Sequence, residues 1–213
     1  MTTIRRAWGR DYVPDDRDLR YRLRPAVSRR SRRTWRLGPV TDQGAMPSCV
    51  GHAWAGWLAA SPVRQRPIVP DGLYELAQHY DEWQGTDYEG TSVRGAAKLL
   101  RVTGHILEYQ WAWEIDRALN HALETGPLVL GCNWYAGMVE PDEQGFIRPT
   151  GKLLGGHAVL IYSMDAKIGR AGIRNSWGPD WGEAGNCLLA LEELERLLGE
   201  DGECATATEA RPG

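Results

Sequence analysis

Residues 174–185 read RNSWGPDWGEAG, a turn-rich block in which Asn175 precedes two tryptophans. The side-chain oxygen of an asparagine can accept the N–H of an imidazole and thereby fix one tautomer of the ring. His157 lies 18 positions upstream, directly after Gly155 and Gly156, and opens an apolar run typical of a buried strand. The block therefore predicts an oriented histidine, although a histidine at the start of a strand can equally have a structural role.

A nucleophile for that histidine is predicted in residues 39–49, which read PVTDQGAMPSC. Ser48 is a preferred residue at a helix start, and apolar residues recur with helical spacing after Cys49. The N-terminus of a helix favours a thiolate because its unpaired N–H groups carry partial positive charge. The amide of Gln43 could donate to an oxyanion beside the backbone N–H of Cys49. The simpler alternatives are a buried structural cysteine and an exposed turn glutamine.

Helical patterns dominate the middle of the chain, and strand patterns follow them. The predicted helices begin at Ser48, at Asp71, at Thr91 or Ser92, and near Ile115, and they end before Pro62 and near Trp83, Gly104 and Thr125. The predicted strands cover residues 128–132, 157–162, 171–174 and 186–191. Helices followed by strands indicate an α+β protein with two unlike halves and a groove between them.

Taken together, these segments resemble the papain family of cysteine peptidases. Residues 174–185 are similar to the family's Asn-Ser-Trp-Gly block, residues 155–159 to its histidine segment, and residues 39–49 to its nucleophile segment. Residues 126–129, GPLV, are similar to the stretch that opens the family's barrel half. The order Gln, Cys, His, Asn is also the family's order, and the resemblance extends over roughly residues 38–192.

The resemblance implies an α+β, papain-like fold of two subdomains with the active-site cleft between them. The catalytic domain would span residues 38–198, with a helical half to about residue 113 and an antiparallel, β-barrel-like half from about residue 114. An Arg-rich strap or leader, residues 1–37, would precede it, and residues 199–213 would form a flexible tail. We expect a strap that wraps the β half; the alternative is an inhibitory pro-segment that covers the cleft. The spaced apolar residues that favour the strap are Trp8, Tyr12, Tyr21 and Leu23.

The resemblance also carries roles to matching positions. It implies that Cys49 is the nucleophile, that His157 is the acid and base, and that Asn175 orients His157. Gln43 would belong to the oxyanion hole. Substrate contacts are expected from Trp177, Gly90 and Gly156.

The chain departs from the family's pattern in four ways. Met46 stands where relatives carry a disulfide cysteine, and Val50 stands where they favour an aromatic residue. Cys49 and His157 are 108 positions apart, fewer than in papain-type enzymes, which trimmed loops would explain. Only 48 residues precede Cys49, so the chain is similar to short bacterial or phage members without a long pro-segment.

The composition limits the remaining classes of function. A net charge of −3 excludes a strongly cationic nucleic-acid binder on global balance, although the Arg-rich leader leaves such a contact open. No apolar stretch approaches the roughly 18 residues that a membrane span needs, and the first residues lack the pattern of a secretory signal. The four cysteines show neither CxxC nor metal-like spacing. We therefore expect reduced thiols, a cytoplasmic location, no membrane contact, and neither a metal nor a cofactor.

These observations predict thiol-dependent hydrolysis of peptide bonds in a peptide or protein substrate, through a Cys-His-Asn triad and an acyl-enzyme intermediate. Two alternatives stay open. The same chemistry could serve a transamidase or a cell-wall peptide amidase. A papain-like fold could also act as a binding or assembly module with an idle triad, which the intact set of residues disfavours.

Overall fold

The computed structural model describes residues 7–25 and 27–209, with Arg17 described by its backbone alone. Within these ranges the chain forms five α-helices and seven β-strands, so the predicted α+β class is confirmed. The helices are α1 (Cys49–Ala59), α2 (Pro70–Ala77), α3 (Val93–Val102), α4 (Ile115–Glu124) and α5 (Leu191–Gly199). The strands are β1 (Arg32–Thr34), β2 (Ile106–Ala112), β3 (Leu128–Tyr135), β4 (Leu153–Asp165), β5 (Arg170–Arg174), β6 (Asn186–Ala190) and β7 (Glu203–Glu209).

The strands join one antiparallel sheet with the order β2-β7-β3-β4-β5-β6. β4 is 13 residues long and pairs with β3 as far as Ile161. Beyond that point β1 pairs with β4, opposite Ser163, Met164 and Asp165. Strand β1 therefore continues the pairing along β4 beyond the point where the pairing with β3 stops.

Successive side chains of β3 and β4 face opposite sides of the sheet, as the period of a strand requires. Leu130, Val159 and Ile161 lie in the hydrophobic core of the β half, together with residues of α4 and α5. Ala158 and Leu160 lie in the core of the helical half, together with residues of α1, α2 and α3. The sheet thus separates two cores, and α1 packs against the face of β4 that carries Ala158 and Leu160.

The predicted helices and strands are all present, with some ends shifted. α2 begins at Pro70, whose fixed φ suits the first helical position, and ends at Ala77 rather than near Trp83. Of the two candidate caps of α3, Ser92 is the observed one, because its side chain accepts the N–H of Gly95 at 2.8 Å. Strands β1, β2 and β7 and helix α5 were not predicted.

The segment after Gly199, expected as a flexible tail, contains strand β7 between β2 and β3. Cys204 lies in the core of the β half and Ala205 in the core of the helical half, both fully buried. The remaining side chains of β7 are mostly small or polar, so its sequence lacks the apolar run of a buried strand. Residues 210–213 lie outside the described residues.

Two parts of the N-terminal leader contact the rest of the chain in different ways. Residues 28–35, the strap segment, lie along α4 and β4. Its Trp35 is buried, and the indole N–H donates to the carbonyl of Ala122 at 2.7 Å. Residues 7–11, the cleft segment, lie instead against the N-terminus of α1 and against β4. Between the two, Leu23 packs in the core of the β half.

Among the described residues, no helix combines the length and the apolar character needed to span a bilayer.

Candidate active site

Helix α1 begins at Cys49, as predicted, and Cys49 is fully buried. The side chain of Ser48 does not cap the helix; its hydroxyl donates to a carboxylate oxygen of Asp71 at 2.7 Å. The same oxygen lies 3.1 Å from Nε2 of His52, which is one turn further along α1. Asp71, at the start of α2, therefore anchors the turn that carries Cys49.

The sulfur of Cys49 is surrounded by backbone groups. Burial raises the pKa of this thiol to about 11, while hydrogen bonds from the backbone N–H groups of Ala158, Gly9 and Val50 oppose the rise. The sequence predicts a helix start that favours the thiolate; in this closed arrangement burial outweighs that effect. Burial also raises the pKa of Cys132, to about 12, without any backbone hydrogen bond. Cys49 differs from Cys132 by the three N–H groups that could stabilise a thiolate once solvent enters.

His157 lies on β4 and is fully buried, with its Nε2 2.9 Å from Oδ1 of Asn175. The backbone N–H of Ser176 donates to the same Oδ1 at 2.8 Å. A backbone N–H can only donate, so this contact fixes which end of the amide faces His157. Because an amide oxygen can only accept, Nε2 carries the hydrogen and Nδ1 is the basic nitrogen of the neutral ring. The predicted His–Asn pair is present in the tautomer that leaves one nitrogen able to take a proton.

Ser176 connects this pair to Gln43. Its hydroxyl donates to Oε1 of Gln43 at 2.7 Å, so the Nε2 end of the amide must face the other way. Nε2 donates to the carbonyl oxygens of Met46 at 2.8 Å and Ala7 at 3.2 Å. The result is a hydrogen-bonded row from Gln43 through Ser176 and Asn175 to His157.

Ala158 joins the row to Cys49, because it follows His157 directly and its N–H reaches the Cys49 sulfur. The structure thus brings together all four residues that the sequence assigned to catalysis. They come from the loop before α1, from the start of α1, from β4 and from the turn after β5.

Three indole rings surround the imidazole of His157. The ring centroids lie 4.7 Å away for Trp134, 4.9 Å for Trp177 and 5.8 Å for Trp8. Trp134 comes from β3, which pairs directly with β4, the strand that carries His157. This cage excludes water from the His157–Asn175 hydrogen bond, which strengthens the bond electrostatically.

The cleft segment passes across this arrangement with its backbone bonded on both sides. On the β side, the N–H of Arg10 donates to the carbonyl of Gly156 at 3.1 Å. On the helical side, the N–H of Thr91 donates to the carbonyl of Gly9 at 3.0 Å, and the N–H of Asp11 donates to the carbonyl of Thr91 at 3.0 Å. The segment therefore spans the cleft between the two halves and covers Cys49.

Gly9 is the point of closest approach to α1. A Cβ atom at this position would lie 1.8 Å from the carbonyl oxygen of Pro47, so only glycine fits here. The carbonyl of Ala7, two residues earlier, accepts the hydrogen bond from Gln43 described above. The side-chain donor that the sequence assigned to an oxyanion hole is occupied by a peptide carbonyl of the chain itself.

The three residues expected to contact substrate all contact the cleft segment. A Cβ at Gly156 would lie 2.0 Å from the carbonyl oxygen of Arg10, and one at Gly90 would lie 2.6 Å from a carboxylate oxygen of Asp11. The ring centroid of Trp177 lies 5.7 Å from that of Trp8. Close backbone approach explains the glycine at position 156, and a φ of 98° explains the glycine at position 90.

Sequence reasoning missed Ser176 and Trp134, and it favoured a strap on the β half over a leader that covers the cleft. Ser176 lies within the block 174–185, which the sequence pattern identifies, but that pattern assigns no role to its hydroxyl. Trp134 carries no local signal, since its contact with His157 depends on the register of β3 and β4. Trp8 was expected on the outside of the β half, whereas it lies at the imidazole because that site offers an indole-lined surface. No group of three or more His, Cys, Asp or Glu in the described part of the chain is placed to hold a metal ion.

Solved structures with similar folds include a cysteine protease and a digestive procathepsin. Xylellain, a cysteine protease from Xylella fastidiosa, matches with a TM-score of 0.77 and 20% identity, covering 99% of this chain and 100% of that one. Digestive procathepsin L 3 of the Tenebrio molitor larval midgut matches with a TM-score of 0.66 and 15% identity, over 96% of this chain and 76% of that one. A structure from work on antibody cross-reactivity between the mite allergens Blo t 1 and Der p 1 matches with a TM-score of 0.62 and 17% identity, over 97% and 77%. No protein-family model and no curated protein sequence matches the chain.

At these identities the similarity establishes the fold. It is an α+β fold with a helical half, a β half and a cleft between them. The predicted papain-like fold is therefore confirmed, and the match to the full length of xylellain fits the predicted resemblance to a short member.

Proposed function

We propose that this protein hydrolyses peptide bonds by covalent catalysis at Cys49, with His157 as acid and base. One observation carries the proposal: the hydrogen-bonded row from Gln43 to His157 lies beside the Cys49 sulfur in a papain-like cleft. Xylellain, which has a similar fold, is described as a cysteine protease, and this supports the same chemical class here. Asn175 orients His157, and Gln43 donates to the oxyanion.

In the acylation step, His157 takes the proton of the Cys49 thiol and the sulfur attacks the carbonyl carbon of the substrate peptide. The carbonyl oxygen then gains negative charge, and the Nε2–H of Gln43 stabilises it. Protonated His157 gives its proton to the leaving amine as the C–N bond breaks. The acyl group remains on Cys49 as a thioester.

In the deacylation step, neutral His157 takes a proton from water, and the oxygen attacks the thioester carbon. The C–S bond breaks, the carboxylic acid product leaves, and the sulfur recovers its proton from His157. Throughout both steps Asn175 accepts from Nε2, so the second ring nitrogen stays available for proton transfer.

The cleft segment must leave before a substrate can bind, because it occupies the donors and the space that the substrate needs. It presents the N–H of Gly9, rather than a carbonyl carbon, to the Cys49 sulfur. An N–H offers no electrophile, so the segment blocks the site without being cut at that peptide. We expect the unsubstituted chain to show low activity, and Gly9→Val to open the cleft because the added side chain collides with Pro47.

The proposal is tested with Gly9→Val protein and two cysteine variants made in that background. Cys49→Ala should abolish hydrolysis of a fluorogenic casein and labelling by an epoxysuccinyl peptide inhibitor. Cys187→Ala is the matched control, since Cys187 is also buried and burial also raises its thiol pKa, but it lies on β6 and is not a member of the row. It should keep both activities.

Hydrolysis that survives Cys49→Ala would overturn the assignment of Cys49 as the nucleophile. Labelling of Cys49 without turnover of any peptide would instead favour a binding module with an idle site. Peptide-dependent transfer of the acyl group to an added amine, without hydrolysis, would favour a transamidase.

A further inference from the structure

The side chain of Arg10 enters a buried pocket at the edge of the cleft. Only 4% of Arg10 and 2% of Glu203 is exposed. Nη2 of Arg10 lies 3.0 Å from Oε1 of Glu203 and donates to the carbonyl of Asp201 at 2.6 Å. The charge of the guanidinium is therefore neutralised at the bottom of the pocket.

Glycine residues around the pocket leave room for this guanidinium. A Cβ at Gly131 would lie 2.9 Å from Nε of Arg10 and also 2.9 Å from Cγ2 of Val93. A Cβ at Gly156 would lie 3.3 Å from Cδ of the same arginine. The cavity is thus shaped by β3, β4 and the start of α3, which belong to the body of the protein and not to the cleft segment.

Glu203 is held in place without Arg10. It is the first residue of β7, paired in register with Gly131 of β3. Its second carboxylate oxygen accepts the indole N–H of Trp111 at 2.7 Å. When the cleft segment leaves, the carboxylate stays at the bottom of the pocket, and the cation that neutralised it has gone.

The pocket opens beside the reacting atoms. Gly9, whose N–H reaches the Cys49 sulfur, is the neighbour of Arg10 in the chain. The backbone of Arg10 bonds to Gly156, the residue before His157. A peptide bound in the cleft would therefore place one side chain in this pocket within a residue or two of its scissile bond.

We propose that the Glu203 pocket selects a basic side chain, arginine above all, in the peptide substrate, and that Arg10 occupies it in the closed form. The inference rests on the proposed function and adds its substrate class. A neutral or apolar side chain would leave the Glu203 carboxylate buried without a cation, with only the Trp111 indole N–H as a partner, which is strongly unfavourable. Sites with buried polar groups discriminate most against ligands that leave those groups unpaired. Arginine fits the shape as well as the charge, since Nε of Arg10 lies in the space that Gly131 leaves open while Nη2 bonds both Glu203 and Asp201.

The experiment measures kcat/KM of Gly9→Val protein for fluorogenic peptides that carry arginine, lysine, citrulline or leucine at each of three positions before the scissile bond. Citrulline matches arginine in shape and lacks its charge. At one position, arginine should exceed citrulline by about 100-fold. Glu203→Gln should reduce that ratio to about threefold or less while the leucine peptide is still hydrolysed. Glu108→Gln, an exposed change on β2, should keep the full ratio.

A second variant covers the case in which Glu203→Gln fails to fold, as judged by thermal unfolding. Gly131→Ala keeps the carboxylate and removes space at Nε of Arg10, so it should depress hydrolysis of the arginine peptide and spare the leucine peptide. A preference for arginine at no position, or one that survives both variants, would overturn the proposal.

A binding measurement separates this inference from the proposed function. Fluorescence anisotropy compares labelled Ala-Trp-Gly-Arg-Asp, the sequence of the cleft segment, with its citrulline analogue on Gly9→Val protein. At least about tenfold tighter binding of the arginine peptide, lost in Glu203→Gln, would support the pocket even in a protein that hydrolyses nothing. Equal binding of the two peptides would overturn the pocket even in an active peptidase.

Discussion

The cleft segment and the strap segment belong to one leader, yet different interactions hold them. The cleft segment is bound by backbone hydrogen bonds and by the Arg10–Glu203 ion pair, and its contacts are the residues of the candidate site. The strap segment is bound by pairing of β1 with β4, by the buried indole of Trp35, and by contacts of residues 28–30 with α4. The difference indicates that the leader anchors itself through one part and closes the site through the other. Anchoring and closure should therefore respond to different substitutions.

The largest expected effect concerns the site that the cleft segment covers. In the Gly9→Val background, His157→Ala should lower kcat/KM for a fluorogenic peptide by about 10²- to 10⁴-fold, the usual contribution of a general acid and base. Asn175→Ala should lower it by only about 5- to 10-fold, because, of the two hydrogen bonds it removes, only the one to His157, worth about 1 kcal/mol, acts on the base. Circular dichroism must show that both variants fold. Equal and complete loss in both would contradict the separate roles of base and orienting residue.

The next effect concerns the anchor. Trp35→Ala should lower the free energy of unfolding by about 3–5 kcal/mol, since it empties a buried indole site and removes the hydrogen bond to Ala122. Urea unfolding measures this loss. Trp8→Ala in the cleft segment is the comparison, and it should destabilise less, because Trp8 is only partly buried. A larger loss for Trp8 than for Trp35 would mean that the cleft segment is the true anchor.

The smallest of the three effects separates closure from anchoring directly. In wild-type protein, the rate of Cys49 alkylation by iodoacetamide should rise with pH throughout the range 8 to 10, because burial raises the thiol pKa to about 11. Gly9→Val should speed alkylation at pH 8 by at least about tenfold and move the midpoint to lower pH, since solvent then reaches the thiolate. Mass spectrometry of the labelled peptide measures both.

The matched control for Gly9→Val weakens the strap segment instead, through Glu124 of α4, which that segment contacts. Glu124→Gln weakens the contacts of Ser28 and Arg30 with α4, and it should leave the alkylation profile unchanged. A similar acceleration in both variants would show that closure depends on the whole leader and would remove the distinction between its two parts.

Local sequence patterns were sufficient to predict those elements and site residues that a short segment of sequence identifies. The helix that starts at Cys49 and the strand that starts near His157 follow from helical spacing and from an apolar run. Asn175 was found because its block has a recognisable composition of tryptophan and glycine. Strand β7 was missed because its Thr and Ala residues give no apolar run, and only its position between β2 and β3 makes it a buried strand.

The sequence by itself therefore determined the α+β class and the papain-like fold, and it selected Gln43, His157 and Asn175 as the candidate partners of Cys49. Tertiary structure alone decided which groups surround them, because spacing in the sequence does not reveal those contacts. Strand pairing and the path of the cleft segment across the cleft bring the surrounding residues to the site: Trp134, Ser176, Glu203 and Arg10. It also decided the state of the thiol. A helix N-terminus favours a thiolate, but the cleft segment buries Cys49, and desolvation raises its pKa more than the backbone N–H groups lower it.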